Sequence, residues 1–537
     1  MVKIRGNLLN VSAEEIYGVE ISVEKGIVKC VENIRGNFKH LILPGFIDSH
    51  IHIESSMLTP SRFAEAVVPH GTTAVISDPH EIANVMGIEG INYMIKDAST
   101  VPLKMFITAP SCVPTTLYET SGAMISTEEI EFLLQNDDVV ALGEIMNFPE
   151  VLEGNPNILA KLEVAKRFKK PIDGHAPFLS GLDLCKYIMS GISTDHECSS
   201  VDEVIEKRRL GMKIMLREGS SAKNLKDLAF AGGDFIVSDD KHPEDLLNGH
   251  VDEMLKKAIE YGIDPLDAIK MVTINPAEHY NLNNGNLIPR KVADIVLVDN
   301  IEKLNIKKVI IDGKLVAEDG KPCFNIKTTE IPSTFKLKQK KSSEFDITAK
   351  GSIVTVKVME VFDGQIITKK VLEDLKIKNG KIEANINNDI LKIAVVGRYG
   401  NENVSNAFVK GFGIKDGAIA SSVAHDSHNI IVVGTNSEDM AEAVNIICKN
   451  KGGLSAVSNG IMYSLELPIA GLMSYKSLEN VSSDLKILHD AVKDMGSHLR
   501  SPFMTLSFMA LLVIPELKIS DKGLFDVEKF EFVNLIK

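Results

Sequence analysis

A pair of histidines at the end of an apolar run constrains this chain more than any other feature. Residues 41–47 are mostly apolar, and His50 and His52 follow them, two positions apart. Side chains on a strand alternate between its two faces, so both imidazoles are expected to point the same way. Two imidazoles side by side at a strand end are half of a metal site, and the other ligands should follow later strands.

Later β-like runs do end in residue types that bind metals. Four such residues follow short runs of the kind that form strands: Glu144, His175, His196 and Asp239. With the first pair they give four imidazoles and two carboxylates, enough for two metal ions bridged by one carboxylate and a water. We therefore predict a binuclear site with the ligands His50, His52, Glu144, His175, His196 and Asp239.

These runs alternate with helical stretches between residues 42 and 285, which indicates parallel βα units. Eight runs over roughly 240 residues match the size of a TIM-type (β/α)8 barrel, whose chemistry lies at the C-terminal ends of its strands. All six suspected ligands follow strand ends, so we expect them to converge on one face. The predicted strands are 41–47, 72–77, 103–108, 139–143, 171–174, 191–194, 212–216 and 235–238.

The flanks of this region predict two further domains, within an overall α/β class. Residues 1–41 show the alternation and turn residues of antiparallel strands, but they are too few to form a domain alone. A complementary β-rich stretch lies in residues 286–345, so we predict one small β-sandwich built from both flanks, with the barrel inserted between them. Residues 351–537 predict a C-terminal α+β domain.

The metal pattern resembles that of the amidohydrolase superfamily, in which a His-x-His is followed by a carboxylate, two separate histidines and a late aspartate. Glu144 occupies the position where many of these enzymes carry a carboxylated lysine that bridges two metals. Several stretches resemble adenine deaminases of the bacterial and archaeal type, and the likeness covers nearly the whole chain. They are SHIHIESS at 49–56, SDPHEIANV at 77–85, TDHE at 194–197, VGRYG at 396–400 and SVAHDSHN at 422–429.

The resemblance implies the hydrolytic deamination of adenine to hypoxanthine and ammonia, in purine salvage. Two divalent transition-metal ions would be the cofactors, with Mn²⁺ favoured and Fe²⁺ or Zn²⁺ left open by the donor types. In this reaction hydroxide attacks C6 of the purine, so the site needs a base and an acid. Asp239 is the expected base, because it can bind one metal and still accept the proton of the attacking hydroxide.

The acid that protonates N1 of the purine has three candidates. Glu197 is preferred, and Glu81 and Glu144 are the others. The alternative role for Glu81 and Glu197 is to orient a ligand histidine by hydrogen bonding.

Three further histidines are predicted to contact the substrate: His80, His425 and His428. His425 and His428 belong to a His-Asp-x-His cluster in the last third of the chain. This cluster could complete the substrate pocket or bind an accessory metal, and it could equally be a polar structural knot.

Two other functions stay open: hydrolysis of a cyclic amide or N-acyl bond by the same barrel, and a metal-dead binding scaffold. The net charge of -14 argues against a general nucleic-acid binder. The first residues lack the apolar segment of a signal peptide, and the apolar stretch 504–515 is too short to span a bilayer. Six cysteines without CxxC spacing fit a reducing compartment. We expect a cytoplasmic homo-oligomer that acts on adenine, without nucleic-acid or membrane partners.

Overall fold

The computed structural model describes residues 2–220, 222–331 and 333–537, and its chain divides into two compact units. The first unit consists of Met1–His80, Ile91–Cys112 and Ile125–Thr329. The second consists of Glu81–Gly90, Val113–Met124 and Glu330–Lys537. Two short stretches from within the predicted barrel region therefore group with the C-terminal residues.

Parallel strands arranged as a barrel form the centre of the first unit, which confirms the predicted α/β class. The first five strands pair in sequence, and the sixth to eighth pair in a second arc. The amide of Ser193 donates to the carbonyl of Ile172 across the fifth and sixth strands (2.9 Å), and Asp239–Asp240, just after the eighth, pairs with the first. In the described residues the barrel strands are Phe46–His52, Thr72–Ser77, Lys104–Ala109, Val139–Ile145, Ile172–Gly174, Thr194–Asp195, Lys213–Arg217 and Phe235–Val237.

Apolar side chains nearer the strand starts pack into one cluster, which includes Ile47, Ile76, Val140, Met215 and Phe235. Helices follow the strands, and several begin at a polar cap: Thr59 accepts the amide of Arg62, and Pro60 supplies a pre-set first helical residue. The helices between residues 60 and 279 are Pro60–Val67, His80–Met86, Ile88–Ala98, Thr127–Leu134, Phe148–Glu153, Pro156–Phe168, Gly181–Met189, Val201–Arg209, Leu225–Leu228, Pro243–Leu246, Val251–Glu260, Pro265–Met271 and Ile274–His279.

The predicted first barrel strand, 41–47, is wrong in its extent, because the structure divides it between two sheets. Leu41–Pro44 pairs antiparallel with Ile295–Val298 in the small β-domain, and the barrel strand starts at Phe46. Gly45 lies at the change of sheet, where an added Cβ would lie 2.2 Å from Thr73 Oγ1. The close approach of the second barrel strand therefore requires glycine at this position.

The small β-domain draws strands from both flanks of the barrel, and hydrogen bonds join them into one continuous sheet. Apolar residues from both flanks, among them Ile21, Ile42 and Ile295, share one core. In the described part of the chain the sheet order is Lys321–Pro322, Lys314–Glu318, Ile306–Ile311, Ile295–Val298, Leu41–Pro44, Val2–Asn10, Glu15–Glu24 and Ile27–Asn33.

The second unit contains a large mixed sheet that packs against a helix. Met440, Val444 and Ile447 on helix Ser437–Asn450 bury their side chains with Val432 of the sheet. Within the described residues the order of the large sheet is Lys381–Ile382, Thr368–Lys378, Ile353–Val361, Val404–Lys410, Ile390–Val396, Ile430–Gly434, Ala418–Ser421, Gly453–Ser458 and Ile461–Glu466. A smaller sheet has Leu517–Ser520, Gly523–Asp526 and Glu531–Phe532, and two further helices are Leu478–Asp494 and Pro502–Phe508.

None of the helices in the described residues combines the length and the apolar character needed to cross a membrane.

Lys518 is a buried lysine of the second unit and predicts a pH dependence of stability. Its Nζ donates to the carbonyls of Ile366 (2.7 Å) and Phe508 (2.9 Å). Burial lowers the pKa of its amine to about 7 from the usual 10.5. Between these values the unfolded chain binds more protons, so stability should rise with pH across that window.

The Lys518→Met variant should remove this contribution, because methionine cannot titrate. We expect the thermal unfolding midpoint of the wild type to rise relative to that of the variant as pH rises from 7 towards 10. Melting curves recorded for both proteins at several pH values measure it, and a constant difference would contradict the prediction.

Candidate metal centre

Glu144 lies at the centre of the predicted ligands, which the structure brings together in the first unit. Its Oε1 is 3.3 Å from His52 Nε2 and 3.9 Å from His50 Nε2. Its Oε2 is 2.7 Å from His175 Nδ1 and 3.4 Å from His196 Nε2. The two oxygens of one carboxylate therefore face two different pairs of histidines, the arrangement that a bridging ligand needs.

Asp239 completes the half of the cluster that contains His50 and His52. Its Oδ1 lies 3.5 Å and 3.2 Å from the Nε2 atoms of these two histidines. Its backbone has φ +55, in the left-handed region that non-glycine residues seldom adopt. Backbone strain of this kind occurs at functional sites, where the required direction of a side chain justifies an unfavourable backbone conformation.

The donor atoms fit divalent transition metals. His50, His52 and Asp239 offer ligand atoms within 4.8 Å of one another, as do His50, Glu144 and His196. His50 Nε2 is buried and has no hydrogen-bond partner among the described residues. Burial lowers the pKa of His50, which keeps its imidazole neutral, as metal binding requires.

The cluster also attracts positive charge. Burial lowers the pKa of His196, but the attraction of Glu144, Glu197 and Asp239 together outweighs it and raises that pKa to about 9. Burial raises the pKa of Glu144, yet the attraction of His196, His175 and His52 together outweighs it and holds that pKa well below its usual range. An ionised carboxylate among imidazoles is the donor set expected for Mn²⁺, Fe²⁺ or Zn²⁺.

His80 lies beside this cluster, although the sequence predicted it as a substrate contact and not as a ligand. Its Nδ1 is 3.7 Å from Glu144 Oε1 and 3.5 Å from Asp78 Oδ1. Its ring lies 4.5 Å from the ring of His52, measured between centroids. A histidine in this position can contact either a metal-bound group or a substrate that approaches the metals.

Arg217 is a functional residue that the sequence analysis missed. It ends the seventh barrel strand, and its Nη1 donates to Asp239 Oδ2 (2.7 Å) and to Glu197 Oε1, while Nη2 donates to Glu197 Oε2 (3.2 Å). Burial raises the pKa values of Asp239 and Glu197, but the attraction of Arg217 and of the neighbouring histidines together outweighs it and holds both well below their usual range. Both side chains are therefore carboxylates at neutral pH.

Buried aspartates fix the backbone around the ligands, and the sequence analysis missed them as well. Each lies on or just after a barrel strand and accepts an amide from another strand or from the residues that follow one, so that these bonds fix the strands relative to one another. The bonds run from Glu144 N to Asp78 (3.0 Å), from Ser238 N to Asp48 (3.2 Å) and from Ala176 N to Asp195 (2.9 Å).

Glu81, His425 and His428 meet in the second unit, where both imidazoles hold one carboxylate. His425 Nδ1 lies 2.8 Å from Glu81 Oε1, and His428 Nε2 contacts Glu81 Oε2. Burial raises the pKa of Glu81, but the attraction of the two histidines outweighs it and holds that pKa well below its usual range. The neighbouring Asp426 accepts the hydroxyl of Thr115 (2.6 Å). This geometry fits a polar knot that orients Glu81.

Comparisons with known proteins match both parts of the chain. The model of the amidohydrolase family matches residues 41–316, and that of the adenine deaminase C-terminal domain matches residues 365–531. Adenine deaminase of Methanothermobacter thermautotrophicus is 54% identical over 536 residues, covering 99% of this chain and 100% of that protein. Adenine deaminase of Methanosphaera stadtmanae is 53% identical over 537 residues, covering 99% of each.

A solved structure with a similar fold is a beta-aspartyl dipeptidase from Fervidobacterium islandicum AW-1. It is 19% identical and has a TM-score of 0.46, covering 60% of this chain and 98% of that chain.

Gly143 should tolerate no side chain, because it lies against the aspartate that positions Glu144. A Cβ added there would lie 2.3 Å from Asp78 Oδ2, the atom that accepts the Glu144 amide, and 3.0 Å from Thr108 Oγ1. Gly143→Ala should therefore break this bond and destabilise the fold by about 1–3 kcal/mol, the usual range for overpacking. Thermal unfolding and metal analysis of the purified variant test this, and unchanged values of both would contradict it.

Proposed function

The chain belongs to the adenine deaminase family within the amidohydrolase superfamily, and we propose that its histidine and carboxylate cluster performs the hydrolytic deamination of adenine. The reaction replaces the amine at C6 with oxygen, giving hypoxanthine and ammonia. The observation that carries the assignment of the centre is Glu144, whose two oxygens face two separate pairs of histidines. This arrangement supports a binuclear site in which no modified lysine is needed.

We propose that two divalent ions bind here. His50, His52 and Asp239 would hold one, His175 and His196 the other, and Glu144 both. When bound, the ions would lower the pKa of a shared water, so that hydroxide forms near neutral pH. The family resemblance favours Mn²⁺, and the same donors suit Fe²⁺ or Zn²⁺.

Asp239 is the proposed base for the attacking hydroxide. Arg217 holds its Oδ2, which leaves Oδ1 on the side of His50 and His52. The low pKa of Asp239 leaves it ionised in the resting enzyme, so it can accept a proton and return it to the departing amine.

Glu197 is the proposed relay to N1 of the purine, with Glu144 and Glu81 as the alternatives. Arg217 keeps Glu197 ionised, so Glu197 brings no proton of its own to the reaction. The two protons of the attacking water suffice: one reaches N1 through Glu197, and the other reaches ammonia through Asp239. The products then balance, because hypoxanthine carries a hydrogen on N1 and ammonia carries one more than the amine.

Three histidines are proposed as substrate contacts. His80 is supported by its position beside Glu144 and His52. The proposal for His425 and His428 rests on the sequence resemblance of their cluster, because their contacts with Glu81 fit a polar knot.

We further propose that the enzyme acts in purine salvage in the cytoplasm, as a homo-oligomer without nucleic-acid or membrane partners. Six free thiols support a reducing compartment, and the net charge of -14 is unsuited to binding a polyanion. A substrate screen that compares adenine with dihydroorotate, hydantoins and N-acetyl sugars would test the proposed specificity. Turnover of a cyclic amide in preference to adenine would overturn it.

Metal stoichiometry tests the binuclear site directly. We expect about two transition-metal equivalents per chain, because the cluster has two sets of ligands around one bridging carboxylate. His50→Ala and His52→Ala should each cost about one equivalent, since both belong to the same set. Elemental analysis of purified protein measures this, with Lys518→Met as a control for loss of a buried side chain elsewhere. A single equivalent in fully active enzyme would exclude the binuclear arrangement.

Asp239→Asn separates the two roles proposed for this residue. Asparagine is nearly isosteric and can still coordinate through oxygen, but it cannot accept a proton. We expect the variant to keep its fold and much of its metal while turnover falls roughly 10²-fold or more, the scale of a lost general base. Metal content and turnover are measured on one sample. Loss of both together would make Asp239 chiefly a ligand, and near-normal turnover with metal retained would remove it from the mechanism.

A further inference from the structure

We infer that Lys207 is a positioning residue for the metal centre, which holds together the two loops that carry His175 and His196. The inference rests on the proposed function, because it takes these two histidines as metal ligands. Lys207 lies on helix Val201–Arg209, outside the cluster itself, and its ammonium donates to residues other than the six proposed ligands.

The ammonium of Lys207 is fully buried, and three acceptors surround it. It donates to Ala176 O (2.7 Å), to Asp195 Oδ2 (2.8 Å) and to Glu203 Oε1 (2.6 Å), and its exposed fraction is 0%. An ammonium has three donors, so each is satisfied. Burying a charge costs several kcal/mol unless it is paired and hydrogen-bonded, and this geometry meets both conditions.

Two of these acceptors adjoin the proposed ligands in the chain. Ala176 follows His175, and Asp195 precedes His196. Asp195 Oδ1 also accepts the amide of Ala176 at 2.9 Å, so Lys207 closes a ring of hydrogen bonds that includes both loops. The backbone next to each histidine is thereby fixed relative to the other.

The third acceptor, Glu203, connects the same two loops a second time. Its Oε1 accepts the amide of Phe178 (2.9 Å), three residues after His175. Its Oε2 accepts the amide of Ser199 (2.9 Å), three residues after His196. Lys207 lies one helical turn after Glu203 and pairs with it, so the ammonium also holds the carboxylate that binds both loops.

The expected consequence is specific to one half of the metal site. His50 and His52 lie on the first barrel strand. This strand is fixed by the hydrogen bond from Ser238 N to Asp48 and by pairing with Asp239–Asp240. His175 and His196 instead follow two of the shortest barrel strands, so their loops depend on side-chain hydrogen bonds. Removing groups that orient metal ligands typically weakens metal affinity 10–100-fold. Loss of Lys207 should therefore weaken the ion held by His175 and His196 and spare the other.

The test compares Lys207→Met with Lys518→Met, a second buried lysine whose acceptors are backbone carbonyls in the other unit. Chelator competition with Mn²⁺ or Zn²⁺, followed by elemental analysis, measures the affinity and stoichiometry of each protein. We expect wild type and Lys518→Met to hold two ions, and Lys207→Met to bind one of them roughly 10–100-fold more weakly. Equal affinities in all three proteins would overturn the inference. Failure of wild type to bind two ions would instead overturn the proposed function.

A double variant covers the case in which Lys207→Met fails to fold because Asp195 is left as an unpaired buried charge. Asp195→Asn with Lys207→Met removes both charges and keeps an oxygen that can accept the Ala176 amide. If Lys207 positions the loops, this protein should fold and still bind the second ion roughly 10–100-fold more weakly than wild type. Recovery of wild-type affinity would show that Lys207 only neutralises Asp195, and the inference would fall.

Discussion

The organisation of the metal centre depends on one buried carboxylate, Glu144, held between two pairs of imidazoles. Its side chain is almost inaccessible to solvent, and an isolated carboxylate in that position would cost several kcal/mol. Contacts from His175 on one oxygen and His52 on the other offset this cost and fix the direction of both oxygens. The same contacts define two places where positive charge is favoured, one beside each carboxylate oxygen.

Hydrogen bonds between strands fix the positions of this carboxylate and its partners. A parallel barrel brings strand ends to one face, but strand pairing alone does not set side chains to within fractions of an ångström. Asp48, Asp78 and Asp195 each bind an amide of another strand or of the loop after one, and Arg217 joins Asp239 to Glu197. The site is therefore a network of charged groups that hydrogen-bond to backbone groups and to one another. The low dielectric constant of the protein interior strengthens these interactions.

Local patterns in the sequence predicted the repeated strands of the barrel. They missed the charged residues whose burial and partners depend on contacts between distant parts of the chain. Eight β-runs and the residues after them indicated the barrel and its ligands, because every parallel strand of such a barrel ends on the same face. Lys207 gave no such signal: it stands in the charged run EKRR, typical of an exposed helix, and only the fold reveals that it is buried. The sequence also gave no sign that an arginine would keep Glu197 ionised. Arg217 lies twenty positions away in the chain and becomes the partner of Glu197 only in the folded barrel.

The change of sheet at Gly45 has a mechanical consequence. A single residue separates Leu41–Pro44 in the small β-domain from the strand that carries His50 and His52, and Gly45 itself is bonded to Asp294 of that domain. Because only Gly45 separates the two strands, we expect a displacement of the small domain to move the proposed metal ligands His50 and His52. The small domain is therefore no detachable module. It anchors the start of the first barrel strand. We therefore expect that exchanging it for the small domain of a relative would shift the positions of His50 and His52.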